Sequence, residues 1–252
     1  MRKSFPKRLY LPLSILFWVG LWWLIAALFD KPLLLPTPPA VLGTLWGLLG
    51  TAAFFKTVLL SLSRILVGII AALIAGAALA WLTVKSRFCH HLFSPLLALF
   101  KATPVASIIF LILLWVGRDT VPLIIAFVMA LPIAWSNVRE GLLETDKQLL
   151  EVARVFGFSA RKRLFALHLP SLLPYFVAAC RSAIGIAWKA GIAAEVLCAP
   201  MNSIGRAIYE GKQYLLTNEL FAWTLTVILI SVAIERATLC LLSIKRKGGT
   251  RV

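Results

Sequence analysis

Few side chains in this sequence can do chemistry, and most of those are bases set in apolar surroundings. Arg64, Lys101, Arg181 and Lys189 each stand within a long hydrophobic run. An ionisable group at the centre of a membrane span costs about 2.5–3.5 kcal/mol on insertion scales, so it should face a cavity or a partner. Two readings of these bases follow. One or more of them lines a pathway favouring anionic or zwitterionic solutes, or they snorkel to headgroups and bond backbone carbonyls. Arg64 and Lys101 suit snorkelling; Lys189, beside Trp188 and Gly191, suits the pathway. No carboxylate is set deep in a run: Asp30, Asp119, Glu195 and Glu219 fall near ends, and Glu235 lies toward one end of the last run. A proton-coupled carrier needs a buried acid to relay protons, which disfavours that class.

Other chemistries find no constellation. His90 and His91 are adjacent, so they point to different faces of a helix, and no carboxylate is near enough to complete a metal site. His168 stands alone, so no Ser/His/Asp arrangement can be drawn. Cys89, Cys180, Cys198 and Cys240 are scattered, without a C-x-x-C pair, and suggest neither zinc nor a disulfide framework. No G-x-x-x-x-G-K-S/T loop is present to cradle a nucleotide's phosphates. The chain is expected to bind no cofactor and to be no enzyme.

The elements that must position these groups are membrane helices. Of 252 residues, 61% are hydrophobic and 14% charged, against about 45–50% and about 25% in soluble proteins. The net charge of +16 would suggest nucleic acid in a soluble chain, but the bases cluster between apolar runs without interleaved aromatics, so no nucleic-acid partner is expected. A span needs about 20 apolar residues, and six candidates appear at 9–29, 57–84, 92–117, 120–137, 169–194 and 219–244. The first has the basic preamble of a signal peptide, yet it is too long and lacks a small-x-small cleavage site, so it is read as a retained span. Pro95 and the run Lys101-Ala102-Thr103-Pro104 break the third, and an amphipathic segment follows the prolines from about Ala40. With six spans both termini share one side, which then carries 17 of the 26 bases against 5 opposite. The excess of bases places the termini and the stretch 138–168 in the cytoplasm. The fold expected is all-α and integral to the membrane, a single domain over 1–252 with its core at about 50–245.

Apolar burial does not drive helices together in lipid, so close backbone contact must. Gly68, Ala72, Gly76 and Ala80 form one small-residue stripe, and Ala179, Ala183, Ala187 and Gly191 another. Trp18, Trp22, Trp23 and Trp81 read as lipid-facing or interfacial; Trp115 and Trp135 are open to a pathway role. The cytoplasmic stretch is too long for a plain turn. Leu149, Leu150, Ala153 and Phe156 recur at helical spacing, which predicts a helix over 146–156. Gly157 supplies a left-handed stop. Ser159 is placed to N-cap a second helix over 160–169, and Pro170 to turn the chain into the fifth span. The product is a helix–turn–helix, at about 140–170, on the membrane face.

Here the sequence resembles a known family. Glu151-Val152-Ala153, Gly157 and Leu167-x-Leu169-Pro170 match the E-A-A-x3-G-x9-I-x-L-P pattern of permease subunits of bacterial ATP-binding cassette importers, with Val152 and Leu167 departing from it by apolar exchanges. Leu35-Pro36-Thr37-Pro38, Ser61-Leu62-Ser63-Arg64 with Gly68, Thr103-Pro104, Arg181-x3-Gly185-x2-Trp188, Ala194-Glu195, Ile204-Gly205 and Phe221-Ala222 are similar to the nitrate, sulfonate and taurine branch. Lys189 and Gly191 are not features of its sulfonate members. The resemblance implies a type I importer permease of a bacterial inner membrane, with six spans and a cytoplasmic coupling hairpin between the fourth and fifth. Its partners would be a cytoplasmic ATPase dimer carrying ATP and magnesium, an extracytoplasmic solute-binding protein, a second permease chain (a homodimer), and membrane lipid. Glu151, Ala153, Arg154, Phe156, Gly157, Leu169 and Pro170 would couple to the ATPase. Lys101, Thr103, Arg181, Trp188, Lys189 and Glu195 are the candidate pathway residues. A secondary carrier or channel, and a polytopic scaffold, are the readings that would need no ATPase.

Overall fold

The computed structural model describes residues 10–144 and 147–247, and every regular element in them is helical. The basic preamble at 1–9, Thr145 with Asp146, and the last residues from 248 lie outside the described part. In chain order the helices are α1 (Tyr10–Phe29), α2 (Pro38–Leu49), α3 (Ala52–Lys85), α4 (Arg87–Ala102), α5 (Val105–Leu113), α6 (Val121–Leu143), α7 (Lys147–Val155), α8 (Ala160–Arg163), α9 (Leu169–Cys198), α10 (Ile204–Gln213) and α11 (Thr217–Lys247).

Five of these helices, α1, α3, α6, α9 and α11, are long and apolar enough to cross a membrane. The third expected span is a bent pair instead: α4 and α5 meet at 105°, so the candidates are five single helices, or six if this pair counts as one span. The bend has a local cause. Thr103 precedes Pro104 and takes extended backbone, φ −79° and ψ 133°, the region to which a following proline ring confines its neighbour. Pro95 does not break the run as expected; it sits inside α4. Ser86 caps that helix, its hydroxyl accepting from the Cys89 N–H at 3.3 Å. The polar loop after α9 also holds a helix that sequence spacing did not predict, α10, capped by Ser203.

The core is built by α3, α6 and α9. All four stripe residues of α3 are buried, and they meet α6: a Cβ on Gly76 would lie 2.6 Å from the Ala134 Cβ, and one on Gly68 would strike the Leu123 carbonyl. The α9 stripe is buried as well, with Gly191 against Ile65 of α3, where a Cβ would lie 2.7 Å from a side-chain carbon. Small side chains thus replace apolar collapse as the means of close helix contact. Ile65, Ile69, Val121, Ile125 and Trp188 fill the space between. α1 stands apart, burying only Ala26. It is held through Trp22, whose indole N–H donates to the Pro36 carbonyl at 3.1 Å and whose ring stacks on Phe221.

Candidate functional site

The elbow between α6 and α9 has the expected helix–turn–helix form. Gly157 has φ +63°, and the Phe158 N–H donates to the Ala153 carbonyl at 2.8 Å, the six-to-one bond of a Schellman stop. Ser159 caps the next turn, its hydroxyl accepting from the Lys162 N–H at 3.2 Å. The second helix is shorter than expected, however. α8 ends at Arg163, a π-helical turn spans Leu164–His168, and α9 continues from it without a break. Pro170 accounts for this: it has no N–H to give, and its ring crowds the carbonyl four residues back, which a wider π turn relieves. So Pro170 widens the helix and does not reverse the chain.

Among the described residues of the elbow, several large apolar side chains are exposed. Val155 is 84% exposed and Phe156 73%, with Val152, Phe165 and Leu169 also in the open. Glu151 and Pro170 are exposed too, whereas Ala153 is buried. Arg154 lies on α7, with its side chain outside the described part. Arg161 and Lys162 add positive charge, and the Lys162 ammonium sits 4.0 Å above the Phe158 ring.

At the other end of α9 lies a polar node. Glu195, near the end of the helix as expected, is nonetheless fully buried. Its Oε2 accepts from the Ser61 hydroxyl at 2.8 Å and from the Gly205 N–H at 3.1 Å. Ser61 in turn accepts from the Ile204 N–H at 2.9 Å. The Arg64 guanidinium lies 4.0 Å from Glu195 Oε1; it pairs with Asp119 at 3.0 Å and donates to the Met201 carbonyl at 3.1 Å. Arg64 thus bonds a backbone carbonyl, as one of its two expected readings had it, and ties α3 to the turn before α6 and the loop before α10. Gly205 is required there, since a Cβ on it would strike the Glu195 Cβ.

The remaining candidates scatter. Lys101 is exposed in the last turn of α4, and the Thr103 hydroxyl donates to the Leu99 carbonyl at 2.8 Å. Lys189 is exposed on α9. Arg181 and Trp188 come together in a cavity between α9 and α11 that Ser231 and Glu235 also line, and Trp188 is almost wholly buried. Trp135 is buried in the core, its indole N–H donating to the Thr83 hydroxyl at 2.9 Å. Trp115 is exposed. Sequence reasoning passed over Ser61 as a partner of Glu195, and over Ser231 and Glu235. The i,i+3 placing of Ser61 and Arg64 was the available signal for the first; for the last two it was their i,i+4 spacing on an apolar helix. Among the described residues no group of His, Cys, Asp and Glu could hold a metal ion.

Comparison with known proteins places this geometry. The family model for the binding-protein-dependent transport system inner membrane component matches residues 65–241. The chain is 28% identical over 224 residues to SsuC of Bacillus subtilis, named for aliphatic sulfonates transport, covering 88% of this chain and 79% of that one. It is 26% identical over 222 residues to the taurine transport system permease protein TauC of Escherichia coli, covering 85% and 80%. The bicarbonate transport system permease protein CmpB of Synechococcus elongatus is 29% identical over 168 residues, covering 66% and 60%.

Proposed function

Because this chain belongs to the binding-protein-dependent transport system inner membrane components, the permease subunits of ATP-binding cassette transporters, we propose that it moves a small anionic or zwitterionic solute inward, driven by ATPases docked on the elbow between α6 and α9. The single observation that supports the docking is the state of that elbow. A helix stop held by Gly157 at φ +63° presents Val155 and Phe156 to solvent, with basic side chains beside them. Apolar side chains in that position want a protein groove, and the motif Glu151-x-Ala153 with Gly157 lies within the family match.

Transport then follows alternating access. Two permease chains, here a homodimer, enclose the path. An extracytoplasmic binding protein delivers solute, and closure of the ATPase dimer on ATP draws the two elbows together and switches the path from inward- to outward-facing. Both termini lie in the cytoplasm of a bacterium, and the membrane is the inner one. The names of SsuC, TauC and CmpB refer to small solutes bearing negative charge, which fits the basic groups along the spans. A carrier or channel working without an ATPase has no comparable support.

The test is reconstitution of this chain with its cognate ATPase and binding protein in proteoliposomes. ATP-dependent uptake should require all three and should cease when the elbow is replaced by a flexible glycine–serine linker. Uptake that persists without the ATPase, or with the elbow replaced, would overturn the proposal.

A further inference from the structure

Beside its small-residue stripe, α9 carries a second face that the elbow and the outer node do not use. Arg181, Gly185 and Trp188 line a cavity of about 110 Å³, and Ser231, Glu235 and Thr238 of α11 line it from the opposite side. Both triplets run i, i+4, i+7, so each is one helix face. Arg181 is 12 residues into α9, about 18 Å along its axis at 1.5 Å per residue, while Glu235 and Thr238 lie in the last turn of the α11 candidate span Thr217–Thr238.

Two features of the cavity point to a ligand. Trp188 is 1% exposed, and its indole N–H has no hydrogen-bond partner. A buried donor left without an acceptor is costly and calls for an explanation. Arg181 and Glu235 line the same space, yet among the described residues neither takes part in an ion pair. Charges within a span are expected to face a partner or a cavity that holds one. Thr238 has already committed its hydroxyl to the Ile234 carbonyl at 2.7 Å, which leaves the guanidinium, the indole N–H, the Ser231 hydroxyl and the carboxylate for a guest.

We propose that this α9–α11 cavity is the membrane-embedded solute site and that it selects small zwitterions carrying a sulfonate or carboxylate at one end and an ammonium at the other. The proposal rests on the transporter reading above. The guanidinium fork matches two oxygens of an oxyanion, and the indole N–H supplies a further donor to the same head. Glu235 takes the ammonium. A simple inorganic oxyanion would satisfy Arg181 and leave Glu235 as an unpaired like charge beside it, so the pair of opposite charges favours a guest that carries both. Lys189, one residue beyond Trp188, does not line this cavity.

The decisive measurement is equilibrium binding to the full permease with its ATPase partner in lipid nanodiscs. The probes are 2-aminoethanesulfonate and 2-hydroxyethanesulfonate, which differ in shape only slightly and in the ammonium wholly. The wild type should prefer the amine by about tenfold or more, as loss of one charge-assisted contact implies. Glu235→Gln should abolish that preference and still bind the hydroxyl analogue; Arg181→Gln should weaken both probes by about tenfold or more, and Arg181→Lys less. Trp188→Phe should weaken both severalfold. A wild type that does not discriminate, or that binds neither probe at concentrations on the order of 10 mM, overturns the proposal, as does a Glu235→Gln chain that keeps the preference. ATPase co-purification in the same preparation reads the transporter proposal separately: binding without the ATPase would uphold the cavity and sink the coupling, and the reverse would do the opposite.

Discussion

Replacing Glu195 separates two explanations of the outer node, one in which its charge holds the helices together and one in which its hydrogen bonds do. Glu195→Ala removes the acceptor for the Ser61 hydroxyl and the Gly205 N–H, now at 2.8 and 3.1 Å, and opens a void where the carboxylate was. Each hydrogen bond to a charged group contributes about 1.5–3 kcal/mol, and breaking a buried ionic arrangement from one side costs about 3–5 kcal/mol. For a chain of this size about 2–4 °C of melting temperature accompanies each kcal/mol, so Glu195→Ala should lower the apparent melting temperature in nanodiscs by about 10 °C. Glu195→Gln keeps an oxygen able to accept both bonds and removes the cost of burying a charge. Arg64 retains Asp119 and the Met201 carbonyl. The glutamine variant should therefore lose only about 1 kcal/mol. The assay is thermal unfolding followed by intrinsic fluorescence, with monodispersity after heating as a second readout. If glutamine destabilises as much as alanine, attraction between Arg64 and Glu195 across 4.0 Å dominates, and the hydrogen-bond account is wrong.

Three further outcomes are expected. Gly157→Val forces a β-branched residue to φ +63°, where the left-handed backbone costs about 1–2 kcal/mol; nothing crowds the site, so the chain should insert and stay folded while ATPase recovered with it falls severalfold, read by co-purification stoichiometry. Phe156→Ala, at a side chain 73% exposed, should leave the melting temperature within about 1 °C and lower ATP-dependent uptake, measured in the same vesicles. Gly68→Leu should separate α3 from α6 and reduce the folded yield sharply, whereas Gly185→Ala, with nothing within 4 Å of the added carbon, should leave the folded yield unchanged; a size-exclusion profile distinguishes them.

What the sequence made legible was whatever depends on one segment at a time. The hydrophobic runs, the small-residue stripes and the helix stop at Gly157 are local, and the structure has them. The span count was less legible, because it depends on how far a chain bends at Thr103-Pro104, and proline chemistry fixes a break without fixing its angle. Pro170 misled for a related reason. A helix can absorb a missing N–H by widening into a π turn as well as by ending. The outer node was out of reach: Ser61 and Glu195 are 134 positions apart, and nothing in either segment says that they meet. Trp135 was read as open to the pathway because a tryptophan in a span shows its polarity in sequence and its partner, Thr83, only in space.

The node, the cavity and the elbow share one element, and that has a mechanical consequence. α9 runs as a continuous helix from Leu169 to Cys198, with the elbow joined to its first turn through the π segment, the cavity beside its middle and Glu195 near its last turn. The 26 residue-to-residue steps from Leu169 to Glu195 span about 39 Å, enough to traverse a bilayer core of about 30 Å. A helix packed through a stripe of Ala179, Ala183, Ala187 and Gly191 makes close backbone contact, and Ile65 seated against Gly191 fixes its register on α3. At its far end from the elbow, α9 is tied through Glu195 by directional bonds to α3 and α10. A tie made of hydrogen bonds with short reach has discrete made and broken states, while apolar contacts yield gradually. The node at Glu195 thus fixes that end of α9 to α3 and α10 through bonds that any displacement of the helix would have to break.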